Sequence, residues 1–352
     1  MFRKLFIAVL LLLAIGRANA GTGDSSVSIM TQNMDQGTGL GYIVAAAFGQ
    51  GTVADAVDLT FAELQASHLS ARAELIATKI AEQKPDLVAL QEVTLWRIGP
   101  DPAHANRPVY DQLAYILKDL MKLRVPYGVV AVNKVDDIAL AGNQVHALRI
   151  TSSNVLLVRM AFRWPVLYFS DVQSHIFSTP LAIGDLTSNS GWISAKVHVG
   201  RKEFLLATVH LASTIPGYPP ATDVQVSQAQ ELLATLQNSS VPVVICGDFN
   251  SDANEDPTVL DYTPTAGMIR DAGYTEVWGQ LHGGDLGNTW PLYLDDLVPI
   301  SFPVTIPFER IDLFFTHGLS ALSIDQVVAP GPEGATPPFG SDHAGVIAVV
   351  QP

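Results

Sequence analysis

Val241-Pro-Val-Val-Ile-Cys-Gly-Asp-Phe-Asn-Ser251 holds a short β-branched apolar run between a proline and a glycine. That is the pattern of a strand covered on both faces, here Val243 to Cys246. The run ends in a polar tip, Gly247-Asp-Phe-Asn-Ser251. Side chains alternate along an extended chain, so Asp248 and Asn250 point the same way. An anion and a neutral amide at the end of a rigid strand suit a site that orients water and holds a phosphate. The same residue types also build ordinary Asx-type turns. The tip gains meaning from what the other strands deliver.

The chain has 352 residues, and its first twenty read as a secretory signal peptide. Arg3 and Lys4 form a basic start, Leu5 to Ile15 is apolar, and Ala18-Asn19-Ala20 fits a small-residue cleavage site. No later run is long and apolar enough to span a bilayer. Residues 21–352 are expected to form a single domain, exported to a periplasm or beyond the cell, and monomeric. Removing Arg3, Lys4 and Arg17 takes the 20 basic residues to 17 against 34 acidic ones, a net charge of 17 − 34 = −17. Strong non-specific binding to nucleic acid or anionic lipid is therefore not expected. Cys246 is the only cysteine, so no intramolecular disulfide forms, and its apolar strand marks it as a core residue.

Taken in order, Ser26 to Asn33 alternates as a first strand, and Gln36 to Gly41 is a glycine-rich loop without the spacing of a P-loop. Tyr42 to Phe48 is short and apolar, compatible with a lid, a buried turn or a membrane-touching patch. Phe61 to Gln83 is expected to be one helix, with Leu64, Leu69, Ala73, Ile76, Ala77 and Ile80 near one face and Lys84-Pro85 ending it. Asp86 to Val93 reads as a buried strand that delivers Glu92 at its end. A helix follows over Tyr110 to Leu123, then strands over Val129–Val132, Ala147–Ile150 and Asn154–Val158. Trp192–Val199 and Glu203–Leu211 form a hairpin whose second strand ends in His210. Thr222 to Gln237 is amphipathic. Ile311 to Phe315 is a short strand containing Asp312, and Val346 to Val350 is the last strand. Hairpins mixed with helices predict an α/β (α+β) protein with mixed sheets, not a doubly wound parallel one.

Five of these strands deliver a polar residue: Asn33, Glu92, His210, the pair Asp248 and Asn250, and Asp342 with His343 just before the last strand. Asp312 lies within a sixth. Together they supply carboxylates, two imidazoles and two carboxamides, the inventory for a hard divalent cation and phosphate-ester hydrolysis. There is no His-Glu-x-x-His or cysteine cluster for zinc, and no Gly-x-Ser-x-Gly elbow for a serine hydrolase.

The segments Thr31-Gln-Asn33, Leu90-Gln-Glu92, Ala207-Thr-Val-His-Leu211, Gly247-Asp-Phe-Asn250, Arg310-Ile-Asp-Leu-Phe-Phe315 and Ser341-Asp-His343 resemble, in order, the motifs of the endonuclease/exonuclease/phosphatase family. The deoxyribonuclease and sphingomyelinase branch is the more similar one, because of His210. The resemblance implies a four-layer α-β-β-α sandwich with the site at one end of two mixed β-sheets. It also implies roles. Glu92 would be the main Mg²⁺ ligand, with Asn33 and Asp342 near the ion and Mn²⁺ as the alternative metal. Asp248 would orient or deprotonate the attacking water. Asn250 and His210 would hold phosphate oxygens, and His343, supported by Asp312, would meet the developing negative charge. The expected activity is a secreted metal-dependent phosphoesterase, a phosphodiesterase foremost, acting on a lipid headgroup, nucleotide or nucleic acid. A deoxyribonuclease-like endonuclease and a catalytically inactive binding module on the same fold are the alternatives. The apolar run Leu297 to Phe308 reads as a buried edge strand in preference to a membrane-dipping hairpin.

Overall fold

The structure, a computed structural model, describes residues 25–161, 165–254, 262–293, 306–333, 335 and 338–352. The expected signal peptide lies outside the described residues, as does most of the apolar run from 297. The chain begins with β1 (Val27–Asn33), α1 (Gly41–Ala47), α2 (Val53–Ala66), α3 (Leu69–Gln83), β2 (Leu87–Gly99) and β3 (Arg107–Asp111). It continues through α4 (Gln112–Lys122), β4 (Tyr127–Ala141), β5 (Ala147–Arg159), β6 (Leu167–Ile176), β7 (Leu181–Ile183) and β8 (Leu186–Ser188). The second half holds β9 (Gly191–Val199), β10 (Lys202–His210), α5 (Pro219–Leu236), β11 (Val243–Asp248), α6 (Thr265–Asp271), β12 (Thr275–Glu276) and α7 (Val277–His282). It closes with β13 (Asp312–His317), β14 (Ser320–Val327) and β15 (Gly345–Gln351).

The first sheet has the order β14-β15-β1-β2-β5-β4, with β3 paired to β2, and the second the order β12-β13-β11-β10-β9-β6. Each is mixed: β1 runs parallel to β2, β10 runs parallel to β11, and their other neighbours are antiparallel. Between the sheets lies a core of Val27, Ile29, Leu87, Ala89 and Leu156 from one and Ile193, Ala195, Leu206, Val244, Cys246 and Phe314 from the other. Cys246 is a core residue, as its strand implied. The helices α3 and α4 cover Met30, Val88 and Leu157 on the far face of the first sheet. On the far face of the second, α5 and α6 cover Val209, Ile245 and Phe315. The four layers are those expected, and the two-faced burial of the central strands explains their near-continuous apolar runs.

The expected helix over 61–83 is two helices. Leu64 joins a cluster with Trp96 and Leu148, whereas Ala73, Ile76 and Ile80 pack on Met30 and Val88. The chain breaks between them at His68, whose φ is +53°, because one straight helix cannot serve both clusters. Tyr110 belongs to β3, and Asp111 caps α4 by accepting from the Ala114 N–H at 3.0 Å. The separate strands expected around Thr151-Ser152-Ser153 are one long strand, β5, whose polar middle pairs with Val93, Thr94 and Leu95 of β2.

Candidate active site

Three functional side chains arrive in a row on the second sheet. His210 of β10, Asp248 of β11 and Asp312 of β13 are mutual register partners, so they share one face at one end of three adjacent strands. Gly247 makes this row possible: its φ is +145°, and a Cβ there would overlap the Val209 carbonyl of the neighbouring strand. Beyond the strand Asn250 takes φ +46°, which carries its N–H back to Asp248 Oδ1 at 2.9 Å. Its side-chain amide donates to the Leu211 carbonyl at 3.0 Å.

The first sheet supplies the opposing side. Asn33 ends β1 and donates from Nδ2 to Asp248 Oδ2 at 2.8 Å, joining the two sheets across the site. Glu92 does not end its strand as expected. It lies within β2, in an irregularity between Leu90 and Val93, with φ +53°. Such a bulge re-aims one side chain while the strand continues. The Gln36 backbone N–H then donates to Glu92 Oε2 at 3.0 Å. His210 Nε2 lies 4.0 Å from Glu92 Oε1 and 3.6 Å from Asp248 Oδ2.

Ser341 holds the last motif in place by donating to the Asn33 carbonyl at 2.7 Å and accepting from the His343 N–H at 3.1 Å. His343 Nδ1 is 2.9 Å from Asp312 Oδ2, and its Nε2 is 3.9 Å from both Asp248 Oδ2 and Asp342 Oδ1. Burial alone would lower the His343 pKa, but Asp312, Asp342 and Asp248 together raise it well above the ordinary value. Burial also pushes Asp312 toward its protonated form, and His343 pushes it back. The pair shares one proton, which sits on the imidazole because two further carboxylates face it.

Three residues at the site were not singled out from the sequence. Asp35 forms a buried ion pair with Arg72 and accepts from the Tyr293 hydroxyl at 2.7 Å. Burial works against its charge, yet Arg72, the Gly37 N–H and Tyr293 hold its pKa below the usual range. Two signals were available. Asp35 lies two residues beyond Asn33, and Arg72 interrupts the apolar stripe of α3, where a buried guanidinium needs a carboxylate. Trp290 also borders the site, its Nε1 donating to Asp342 Oδ2 at 3.0 Å.

Burial, with the charges of Asp35 and Glu92, pushes Asp342 up to about 7 against the pull of His343. A carboxyl raised by neighbouring negative charge in this way belongs to a donor set that a divalent cation would relieve. Glu92 and Asp342 therefore fit a hard metal ion, and Ser341 ties the Asn33 backbone to the loop that carries Asp342. Asp248, Asp312 and His343 also place ligand atoms within 4.8 Å of one another. There, however, His343 is already bonded to Asp312, and Asp248 accepts from Asn33 and Asn250. That cluster is built to hold a proton.

The sequence matches the Endonuclease/Exonuclease/phosphatase family over residues 30–343, and the chain belongs to that family. Its members are phosphoester hydrolases that use divalent metals. No curated protein matches it. Among solved structures, an endonuclease/exonuclease/phosphatase from Beutenbergia cavernae is similar at TM-score 0.57 and 20% identity, covering 93% of this chain and 71% of that one. D. rerio TDP2 humanised by 14 mutations is similar at TM-score 0.55 and 16% identity, covering 93% and 100%. A mannosyl-6-phosphatase of Bacteroides thetaiotaomicron is similar at TM-score 0.51 and 14% identity, covering 92% and 99%.

Proposed function

We propose that the protein is an exported, monomeric, Mg²⁺-dependent phosphodiesterase that hydrolyses its substrate by direct attack of water. The observation that carries this reading is the join between the sheets. Asn33 from one and Asn250 from the other fix the Asp248 carboxylate, and the His343–Asp312 pair stands beside it.

Glu92 and Asp342, with Asn33 beside them, would hold Mg²⁺ or Mn²⁺, whose charge offsets that building on the phosphate oxygens. Asp248 has one lone pair on each oxygen engaged by a fixed amide, which leaves acceptor capacity to orient a water and take its proton. His210 and the second N–H of the Asn250 amide border the same space and bind phosphate oxygens. His343 stays protonated because Asp312 stands behind it, and from Nε2 it donates toward the charge developing on the substrate. Phosphoryl transfer asks mainly for such positioning and charge balance.

A nuclease reading draws on D. rerio TDP2, which has been seen with a single strand DNA product. The formal charge of −14 weighs against it. Hydrolysis of bis-p-nitrophenyl phosphate, p-nitrophenyl phosphate, plasmid DNA and sphingomyelin liposomes, with Mg²⁺ and with EDTA, tests the proposal. Metal-dependent turnover of the diester that disappears in Asp248→Ala supports it. Silence across the panel without an Mg²⁺-induced thermal shift would assign the chain to an inactive binding module. The mass of the protein recovered from the exported fraction tests cleavage after Ala20.

A further inference from the structure

From Gln36 to Ala54 the chain carries no charged residue, although it holds 34 acidic residues in all. This uncharged stretch contains α1, and its two anchors lie on opposite lips of the site. On the lip of the first sheet, Gln36 donates its N–H to Glu92 and accepts the Trp96 indole N–H at 3.0 Å. On the lip of the second sheet, Val44 and Ala47 pack against Leu181, Ile183, Ala212 and Ala221. Phe48 meets Tyr218 edge-on with ring centres 5.3 Å apart. Ala212 is two residues beyond His210, so the segment from Gln36 to Phe48, with α1 in its middle, bridges from the strand of Glu92 to the loop that follows His210. Tyr42 and Ile43 remain partly exposed, and Phe48 is 44% exposed.

Given the phosphodiesterase reading, on which this rests, we propose that α1 is the specificity-determining wall of the site and docks the apolar ester group of an amphiphilic phosphodiester. The charge pattern selects this occupant. A nucleic-acid strand carries a charge at every phosphate and finds no cation along this stretch, in a chain that is acidic overall. A substrate with one phosphate and one alkyl group gains binding in proportion to the apolar surface it buries there.

The test uses p-nitrophenyl phosphodiesters whose second ester is methyl, butyl or octyl, each below its critical micelle concentration. The leaving group is constant, so kcat/KM reports the docking of the second ester. The wild-type protein is expected to favour the octyl over the methyl ester by about tenfold or more. Phe48→Ser and Ile43→Ser, tested singly, bring that ratio toward one while methyl ester turnover stays within about twofold, and Phe48→Leu keeps the ratio. Methyl ester turnover reports in each variant that the site is intact. Turnover of methyl and octyl esters at equal kcat/KM by the wild type overturns the wall and leaves the phosphodiesterase reading standing. A steep ratio that survives in both serine variants also overturns the wall. Failure of the wild type to hydrolyse any of the three diesters overturns the phosphodiesterase reading and the wall with it.

Discussion

The two sides of the site are built on opposite principles. At the second sheet, Asp248 and Asp312 are buried and hydrogen-bonded, and His343, reaching over from the loop that leads into β15 of the first sheet, carries a proton that balances part of their charge. On the first sheet side, Glu92, Asp342 and Asp35 gather three carboxylates, and Arg72 pairs with Asp35 alone of them. One half is preorganised for proton handling without help. The other is short of positive charge until a cation arrives. A site divided this way lets metal binding and proton chemistry be perturbed separately.

The largest effects should come from removing the functional carboxylates. Asp248→Asn is expected to lower kcat by about three orders of magnitude, within the range for a lost general base, and to leave metal binding intact. Glu92→Gln should lose a comparable factor through the metal, with no rescue by raised Mg²⁺ within the solubility of the ion. Residual rates across an Mg²⁺ titration separate the two: the rate of Asp248→Asn should saturate with Mg²⁺ as the wild type does and that of Glu92→Gln should not respond, and the same Mg²⁺ dependence in both variants would erase the proposed division.

Next comes pH. The His343 pKa is raised above its unfolded value by its carboxylate neighbours. Its protonated form is therefore complete below about pH 6.5 and is lost only as pH rises through the elevated folded-state value. Both activity and the stability from the ion pair should fade along that alkaline limb. Asp312→Ala lowers the His343 pKa and moves the limb toward acid. An unchanged pH–rate profile in that variant would remove the pairing from the mechanism.

Asp342 sets the other limb. Its carboxyl, raised to about 7, must be ionised to hold a cation. The Mg²⁺-induced rise in Tm should therefore shrink as pH falls from 8 to 6, and a pH-independent rise would place the ion elsewhere. A smaller change is expected for Gly247→Ala, about 1–3 kcal/mol of stability, because the methyl must push the Val209 backbone aside. Denaturant unfolding measures it. Trp290→Phe should be milder still, about 1 kcal/mol for the lost bond to Asp342.

The same contrast decides what could be read from the sequence. The residues on the second sheet were legible because each sits in or beside an apolar run that can only be a buried strand, and strand register then aligns His210, Asp248 and Asp312. On the first sheet, Glu92 was recognised but misplaced. A bulge inserts its extra residue without a sequence marker, and no glycine announces the positive φ of Glu92. Asp35 and Arg72 went unread because an ion pair spanning a loop and a helix has no local period. The split of the expected long helix at His68 is also non-local, since the demand comes from two separate clusters. The bridge formed by α1 follows from contacts with β7, α5 and the loop after His210, which short-range pattern cannot supply.

The most direct test of the divided site measures the Mg²⁺-induced Tm shift and diester hydrolysis side by side in the wild type, Glu92→Gln and Asp248→Asn. The account predicts that Glu92→Gln loses both, and that Asp248→Asn loses hydrolysis but keeps the shift. A shift retained in Glu92→Gln and lost in Asp248→Asn would put the metal in the Asp248–Asp312–His343 cluster and contradict it.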